Sequence, residues 1–220
     1  MNLSPPVVPP LRTRAHTAAR AAATLARDHT RLDQVLELAV ALNLPTIKRR
    51  WTEIAGSEEG RALLEERPKI DEAHVDYAAL TRLPDGTLGR EYARFLADNG
   101  ISPAPFATPP DVGSEGAAWV MMRFRQSHDI WHVLTGYAPD VEGELLLQAF
   151  TFAQAKAPAS AFLVLFGTLR YAWRFPRGYF RRLARAYRRG KATTFLGTVR
   201  WESLWERPVG EVRATLGCPA

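Results

Sequence analysis

His128, Asp129 and His132, followed after eleven intervening residues by Glu144, are the side chains of this sequence whose types and spacing could do chemistry. At about 100° per residue the two histidines lie about 40° apart around a helix and Asp129 lies within about 100° of both, so three donors share one side. Glu144 follows the turn at Gly136 to Pro139 and falls early in the next helix. An antiparallel return sets it opposite the histidines, as in metal sites built between helices of a bundle. Two imidazoles and two carboxylates suit a divalent metal: zinc first, with iron or manganese as alternatives. Four ligands around a tetrahedral zinc would leave no open position, so catalysis requires a released carboxylate or a higher coordination number. The zinc-protease pattern places Glu directly after its first His; here Asp129, one methylene shorter, stands there. The competing reading is a buried polar cluster or a helix-terminal ion pair. His16, His29 and His74 have no such partners nearby in the sequence.

Those residues need helices to position them. Residues 1–11 contain Pro5, Pro6, Pro9 and Pro10 and are predicted to be an extended arm. Periodicity predicts helices over 14–27, 31–43, 46–55 and 58–66, the last with Ser57 as N-cap, Glu58 and Glu59 in its first turn and Pro68 beyond its end. A helix over 88–98 stops at Asn99-Gly100, and the proline-rich stretch 101–114 reads as an irregular crossover. Further helices are expected over 116–135, 141–157, 159–172, 177–189, 191–205 and 209–216, with breaks at Gly136 to Pro139, Pro158, Pro176, Gly190 and Pro208. Alternating strand patterns are nearly absent. The fold class is therefore all-α, an irregular or orthogonal helical bundle: arm 1–11, N-terminal helices 12–56, and a helical domain 57–217 with the metal site. Helix 159–172 is apolar around most of its circumference and is expected to be the bundle's central helix, with the wall of a lipid groove as the alternative. Trp119, Met121, Met122 and Phe124 are expected in the core.

Composition narrows the function classes. Of 220 residues, 46% are hydrophobic and 24% charged, which excludes extended disorder. Cys218 is the only cysteine, so an intramolecular disulfide and a cysteine-built zinc site are excluded. The most apolar run, Ala161 to Gly167, meets Arg170 and Arg174 well before the ~20 residues a spanning helix needs. The first 27 residues hold four arginines and no acid, which suits an alanine-rich first helix, a basic arm or a mitochondrial transit peptide. Between Leu145 and Trp201 there is no Asp or Glu but eleven Lys or Arg, so with a net charge of +6 the rest of the chain carries −5. Such asymmetry points to an anionic partner. Arginines interleaved with Tyr171, Trp173, Phe175, Tyr179, Phe180 and Tyr187 fit an anionic membrane surface, with single-strand stacking the weaker reading. Other signals for nucleic acid are missing. Arg181, Arg182 and Arg185 are expected on an exposed helix.

Several segments, read in order, resemble the coenzyme Q biosynthesis protein 4 family: Ser57-Glu-Glu-Gly-Arg61, Leu83-Pro-Asp-Gly-Thr-Leu-Gly89, Glu91-Tyr-Ala-Arg-Phe-Leu96, His128-Asp-Ile-Trp-His-Val-Leu-Thr-Gly136, Val141-Glu-Gly-Glu144, Phe166-Gly167 and Trp201-Glu202. The resemblance covers roughly residues 57 to 217 and is loose before them. It implies an all-helical protein of ubiquinone biosynthesis that holds a divalent metal on His128, Asp129, His132 and Glu144. It further implies a polyprenylated aromatic precursor, other proteins of the pathway and a membrane surface as partners, with homo-oligomers also in view. The implied activity is oxidative decarboxylation of a prenylated 4-hydroxybenzoate derivative, in which the ring carboxylate is replaced by hydroxyl and Asp129 is the catalytic residue. The alternative is a non-catalytic scaffold of the biosynthetic complex. The implied location is peripheral, on the cytoplasmic face of a bacterial inner membrane or the matrix face of a mitochondrial one. The crossover at 102–114 lacks the family's Pro-Asp-x-Arg pattern, which raises a different aromatic or polyketide-derived substrate.

Overall fold

The computed structural model describes residues 5–28, 31–102 and 112–218. Among them the secondary structure is helical apart from one isolated antiparallel bridge, Thr87 to Pro208. The helices are α1 (Leu11–Arg27), α2 (Leu32–Ala55), α3 (Glu58–Glu66), α4 (Tyr77–Leu80), α5 (Leu88–Asp98), α6 (Glu115–Gln126), α7 (His128–Thr135), α8 (Val141–Ala155), α9 (Pro158–Tyr171), α10 (Tyr179–Ala192) and α11 (Val209–Thr215). The all-α reading holds. Most of the 101–114 crossover, residues 103–111, lies outside the described residues, as do residues 1–4 of the arm and His29.

Helix α3 starts where expected because the Ser57 hydroxyl accepts the Gly60 N–H at 3.0 Å. Helix α5 ends at Asn99, followed by Gly100 at φ +62°. Elsewhere the structure corrects the sequence reading. Helices 31–43 and 46–55 are one helix, α2, running through Pro45. A proline leaves the carbonyl four residues earlier without its helical donor; here that carbonyl, Ala41's, accepts from Arg14 Nη1 at 3.3 Å. The 116–135 helix is two, broken at Ser127. Nor does 191–205 form a helix: α10 runs through Gly190 to Ala192, and only short 3-10 turns follow at Leu196–Thr198 and Trp201–Ser203. The buried Gln154 amide draws the chain out of helical register, donating to the Gly190 and Thr193 carbonyls and accepting the Leu196 N–H. Gly190 serves packing, since a Cβ there would lie 2.5 Å from the Phe150 carbonyl oxygen on α8.

The main core gathers Leu88, Tyr92 and Leu96 of α5, Ile130, Trp131 and Leu134 of α7, Leu147 and Phe150 of α8, and Leu196, Trp201 and Val212. A second cluster joins Ile54, Leu63, Leu64, Trp119 and Val120. The central helix is thus α8, which buries nine residues, and not 159–172 as expected. Helix α9 buries only Ala159 and Ser160, and Leu165, Phe166 and Leu169 are at least half exposed. An apolar circumference alone does not say whether protein or another apolar phase covers it. Among the described residues no helix is long and apolar enough to cross a membrane.

Candidate metal centre

Helix α7 is built to hold its own end fixed. Its start is set by Ser127, whose hydroxyl donates to the Arg123 carbonyl at 2.8 Å; such back-bonding competes with the helical ladder. At its C-terminus every orphan carbonyl has a donor. Gly136, at φ +73°, donates its N–H to the His132 carbonyl at 2.7 Å. Arg213 donates Nη2 to Val133 O at 3.0 Å and Nε to Leu134 O at 2.7 Å, and buried Arg189 donates Nη1 to Thr135 O at 2.9 Å. Two cations at the negative end of the helix also favour its dipole. The return to α8 is tight: Asp140 accepts the Gly143 N–H at 2.7 Å, and a Cβ on Gly143 would lie 1.9 Å from the Ala138 carbonyl oxygen, so only glycine fits.

This return brings Glu144 against the histidines. One carboxylate oxygen is 3.4 Å from His128 Nε2 and the other 3.1 Å from His132 Nε2. One ligand atom each from His128, Asp129 and His132 lies within 4.8 Å of the others. The His132 side chain is fully buried, stacked on Phe95 at 5.3 Å, and its Nδ1 donates to the Tyr137 carbonyl at 2.9 Å. That hydrogen bond aims Nε2 at the site, the outer-shell support usual for a ligating imidazole. The side chains of His128 and Glu144 are 29% and 41% exposed, so the centre is closed at His132 and open on their side.

Electrostatics follow the packing. Burial resists charging of His132, yet the Glu144 carboxylate, the Tyr137 carbonyl and Asp129 outweigh it and raise the imidazole pKa above 6.5. Burial would likewise raise Glu144, but hydrogen bonds and charges of the two histidines hold it down at about 2. Asp129 is raised, by burial first and then Glu144, against the opposing pull of both histidines. Burial, with Asp129's charge adding to it, also raises the Tyr77 and Tyr92 phenols of α4 and α5. Charge of opposite sign is already concentrated where a cation would sit. Two imidazole nitrogens and two carboxylates converge, one imidazole with its outer hydrogen bond in place, and this donor set fits a divalent ion.

All four residues singled out by spacing therefore meet. Arg189 and Arg213 carry no comparable signal, because their partners are backbone atoms far along the chain, whereas Phe95 lies in the segment Glu91–Leu96 and Tyr137 directly follows the motif. The arginine-rich face needs correction. Arg181 and Arg185 are exposed, but Arg182 pairs with Glu142 and Arg189 is buried, its guanidinium over the Tyr137 ring.

Comparison with known proteins gives the chain its family. The family model described as Coenzyme Q (ubiquinone) biosynthesis protein Coq4 matches residues 9–219, so it takes in α1 and α2 as well as the later helices. The mitochondrial ubiquinone biosynthesis protein of Coprinopsis cinerea is 32% identical over 195 residues, covering 86% of this chain and 66% of that protein. The mouse homologue is 32% identical over 201 residues, covering 91% of this chain and 76% of its own length. The chain spans as little as 54% of other curated relatives, such as that of Scheffersomyces stipitis. A crystal structure of a candidate ubiquinone biosynthesis protein from Nostoc punctiforme superposes with a TM-score of 0.72 at 29% identity, covering 94% of this chain and 97% of that one. The chain belongs to the Coq4 family of coenzyme Q (ubiquinone) biosynthesis proteins.

Proposed function

We propose that His128, Asp129, His132 and Glu144 hold one divalent ion, and that the chain acts in ubiquinone biosynthesis by oxidative decarboxylation of a polyprenylated 4-hydroxybenzoate-type precursor, at an anionic membrane surface and alongside other proteins of that pathway. The observation that carries this reading is the placement of Glu144 opposite both imidazoles, with His128, Asp129 and His132 donors within 4.8 Å of each other. An ion bound there supplies Lewis acidity toward the carboxylate and phenol oxygens of an aromatic acid. In the overall reaction the ring–carboxyl bond breaks and carbon dioxide leaves, water supplies the hydroxyl that takes its place, and dioxygen accepts the two electrons and two protons released and leaves as hydrogen peroxide.

The chain's own groups do the rest. His132, locked by Tyr137 and Phe95, sets the position of the centre, and open Glu144 and His128 leave room for substrate on their side. Asp129 is the catalytic residue in this reading: its anion is the group that accepts the phenol's proton.

The test is turnover. Metal-loaded protein incubated with a prenylated 4-hydroxybenzoate under dioxygen should give the hydroxylated, decarboxylated product by mass spectrometry. Asp129→Asn should lose that product while keeping its fold. Product from Asp129→Asn at the wild-type rate would move the reading to the scaffold alternative, and product from a different aromatic acid alone would redirect the substrate.

A further inference from the structure

We infer that the corner made by the end of α9, the turn Ala172–Arg174 and the start of α10 inserts into an anionic membrane, apolar side chains in the acyl boundary and arginines among the phosphates. This rests on the peripheral location proposed above and names the surface that provides it. Leu165, Phe166, Leu169, Trp173 and Phe180 are 55%, 50%, 69%, 77% and 67% exposed, five of the eight large apolar side chains exposed among the described residues. On α9, Leu165, Phe166 and Leu169 fall within about 100° of arc and form one face. Trp173 continues it, its Nε1 donating to the Arg170 carbonyl at 3.3 Å and Arg174 lying 5.7 Å from its ring. The hydroxyls of Thr168 and Tyr179, 2.7 Å apart, tie α9 to the start of α10, where exposed Phe180 lies edge-on to Tyr179.

Around this apolar corner and on along α10 stand Arg170, Arg174, Arg177, Arg181, Arg185, Arg188 and Lys191, all exposed and with no carboxylate between Leu145 and Trp201 to balance them. Arg181, Arg185 and Arg188 recur at i, i+4 and i+7, a single stripe along α10. A contiguous apolar patch marks an interaction site, and the cations decide with what. A second copy meeting the patch face to face would bring two cationic corners together, which their repulsion opposes. An acidic protein would satisfy the arginines but not an indole and a phenyl standing out among them. A headgroup boundary satisfies both, with phosphates above acyl chains. The corner also reaches the start of α8, where Arg182, beside Arg181, donates to Glu142 at 2.5 Å and Val141 is exposed.

The experiment is vesicle co-sedimentation of the metal-loaded full chain at low ionic strength, on phosphatidylcholine with and without cardiolipin, with quenching by brominated lipid as a second readout. Wild type should bind the cardiolipin vesicles and show tryptophan quenching. Arg181→Gln/Arg185→Gln/Arg188→Gln should bind about a hundredfold more weakly, at about fivefold per charge. Leu169→Ser/Trp173→Ser/Phe180→Ser should lose the quenching, both variants keeping wild-type helicity and metal content. Equal binding to neutral and anionic vesicles, or full quenching in the serine variant, would overturn the inference. So would a wild-type dimer that the serine variant turns into monomers without any vesicle binding by either. Vesicle binding by a chain that takes up no metal would sink only the reading of the centre.

Discussion

His132 and Trp173 both project rings from short helical segments, yet one side chain is fully buried and the other 77% exposed. Around His132 each polar group is answered from within the molecule. Tyr137 takes its Nδ1 hydrogen, Glu144 faces its Nε2, and Arg189 and Arg213 close the carbonyls of its helix. Around Trp173 the apolar faces and cations have few such answers. The difference teaches where this chain requires rigidity and where it requires a partner. A site that positions an ion within a few tenths of an ångström must be over-determined by its own fold, whereas a docking surface leaves its groups for the partner to satisfy.

The largest contrast should come from the tryptophans. Trp131 packs on Phe124 and Phe150 beneath the centre and is 1% exposed. Its truncation to Ala should cost about 3–5 kcal/mol in thermal or denaturant unfolding, the toll of a large cavity. Trp173→Ala should stay within about 0.5 kcal/mol of wild type. A comparable loss from Trp173→Ala would make the corner part of the core and dissolve the comparison.

The arginines give the next contrast. Arg213→Gln leaves the Val133 and Leu134 carbonyls short of a donor and should cost about 1–3 kcal/mol. It should also weaken metal affinity by about tenfold, as loss of an outer support does. Arg181→Gln should change neither, measured by unfolding and by metal titration side by side. Equal effects from both would mean that the end of α7 is not held as described.

The smallest effect is the pH dependence of the metal-free chain. Glu144 is lower in the fold than its ordinary 4.5, so its contribution is present above that value and lost as the pH falls toward about 2. His132 is higher in the fold than its ordinary 6.5, so its contribution is complete below 6.5 and lost as the pH rises through the raised value. Their pairing therefore stabilises most between about 4.5 and 6.5, and Glu144→Gln should flatten unfolding curves taken across that window. Metal uptake runs the other way: the ion displaces the His132 proton, so affinity should rise with pH while stability from the pair declines.

Much of the site was legible in the sequence because it is local. His128, Asp129, His132 and Glu144 lie within one turn and one hairpin of helices, and helical periodicity places them without knowledge of the rest. Helices 58–66 and 88–98 were legible for the same reason, their signals lying in Ser57 and in Asn99-Gly100. What escaped depends on distant residues. Pro45 reads as a break until Arg14 supplies the donor for Ala41, and 191–205 reads as helix until Gln154 is seen to take backbone groups within it. Helix α9 looked central because composition reports apolarity and not what covers it. Arg213 lies 80 residues from Val133, beyond any pattern of spacing.

The central claim is that the α7–α8 corner holds one divalent ion, and a cobalt(II) titration followed by visible absorption tests it most directly. Wild type at neutral pH should develop ligand-field bands that saturate at one ion per chain, and the His128→Ala/His132→Ala double variant, with unchanged helicity, should show none. Bands of the same intensity and stoichiometry in the double variant, or no saturable uptake by wild type, would contradict the account.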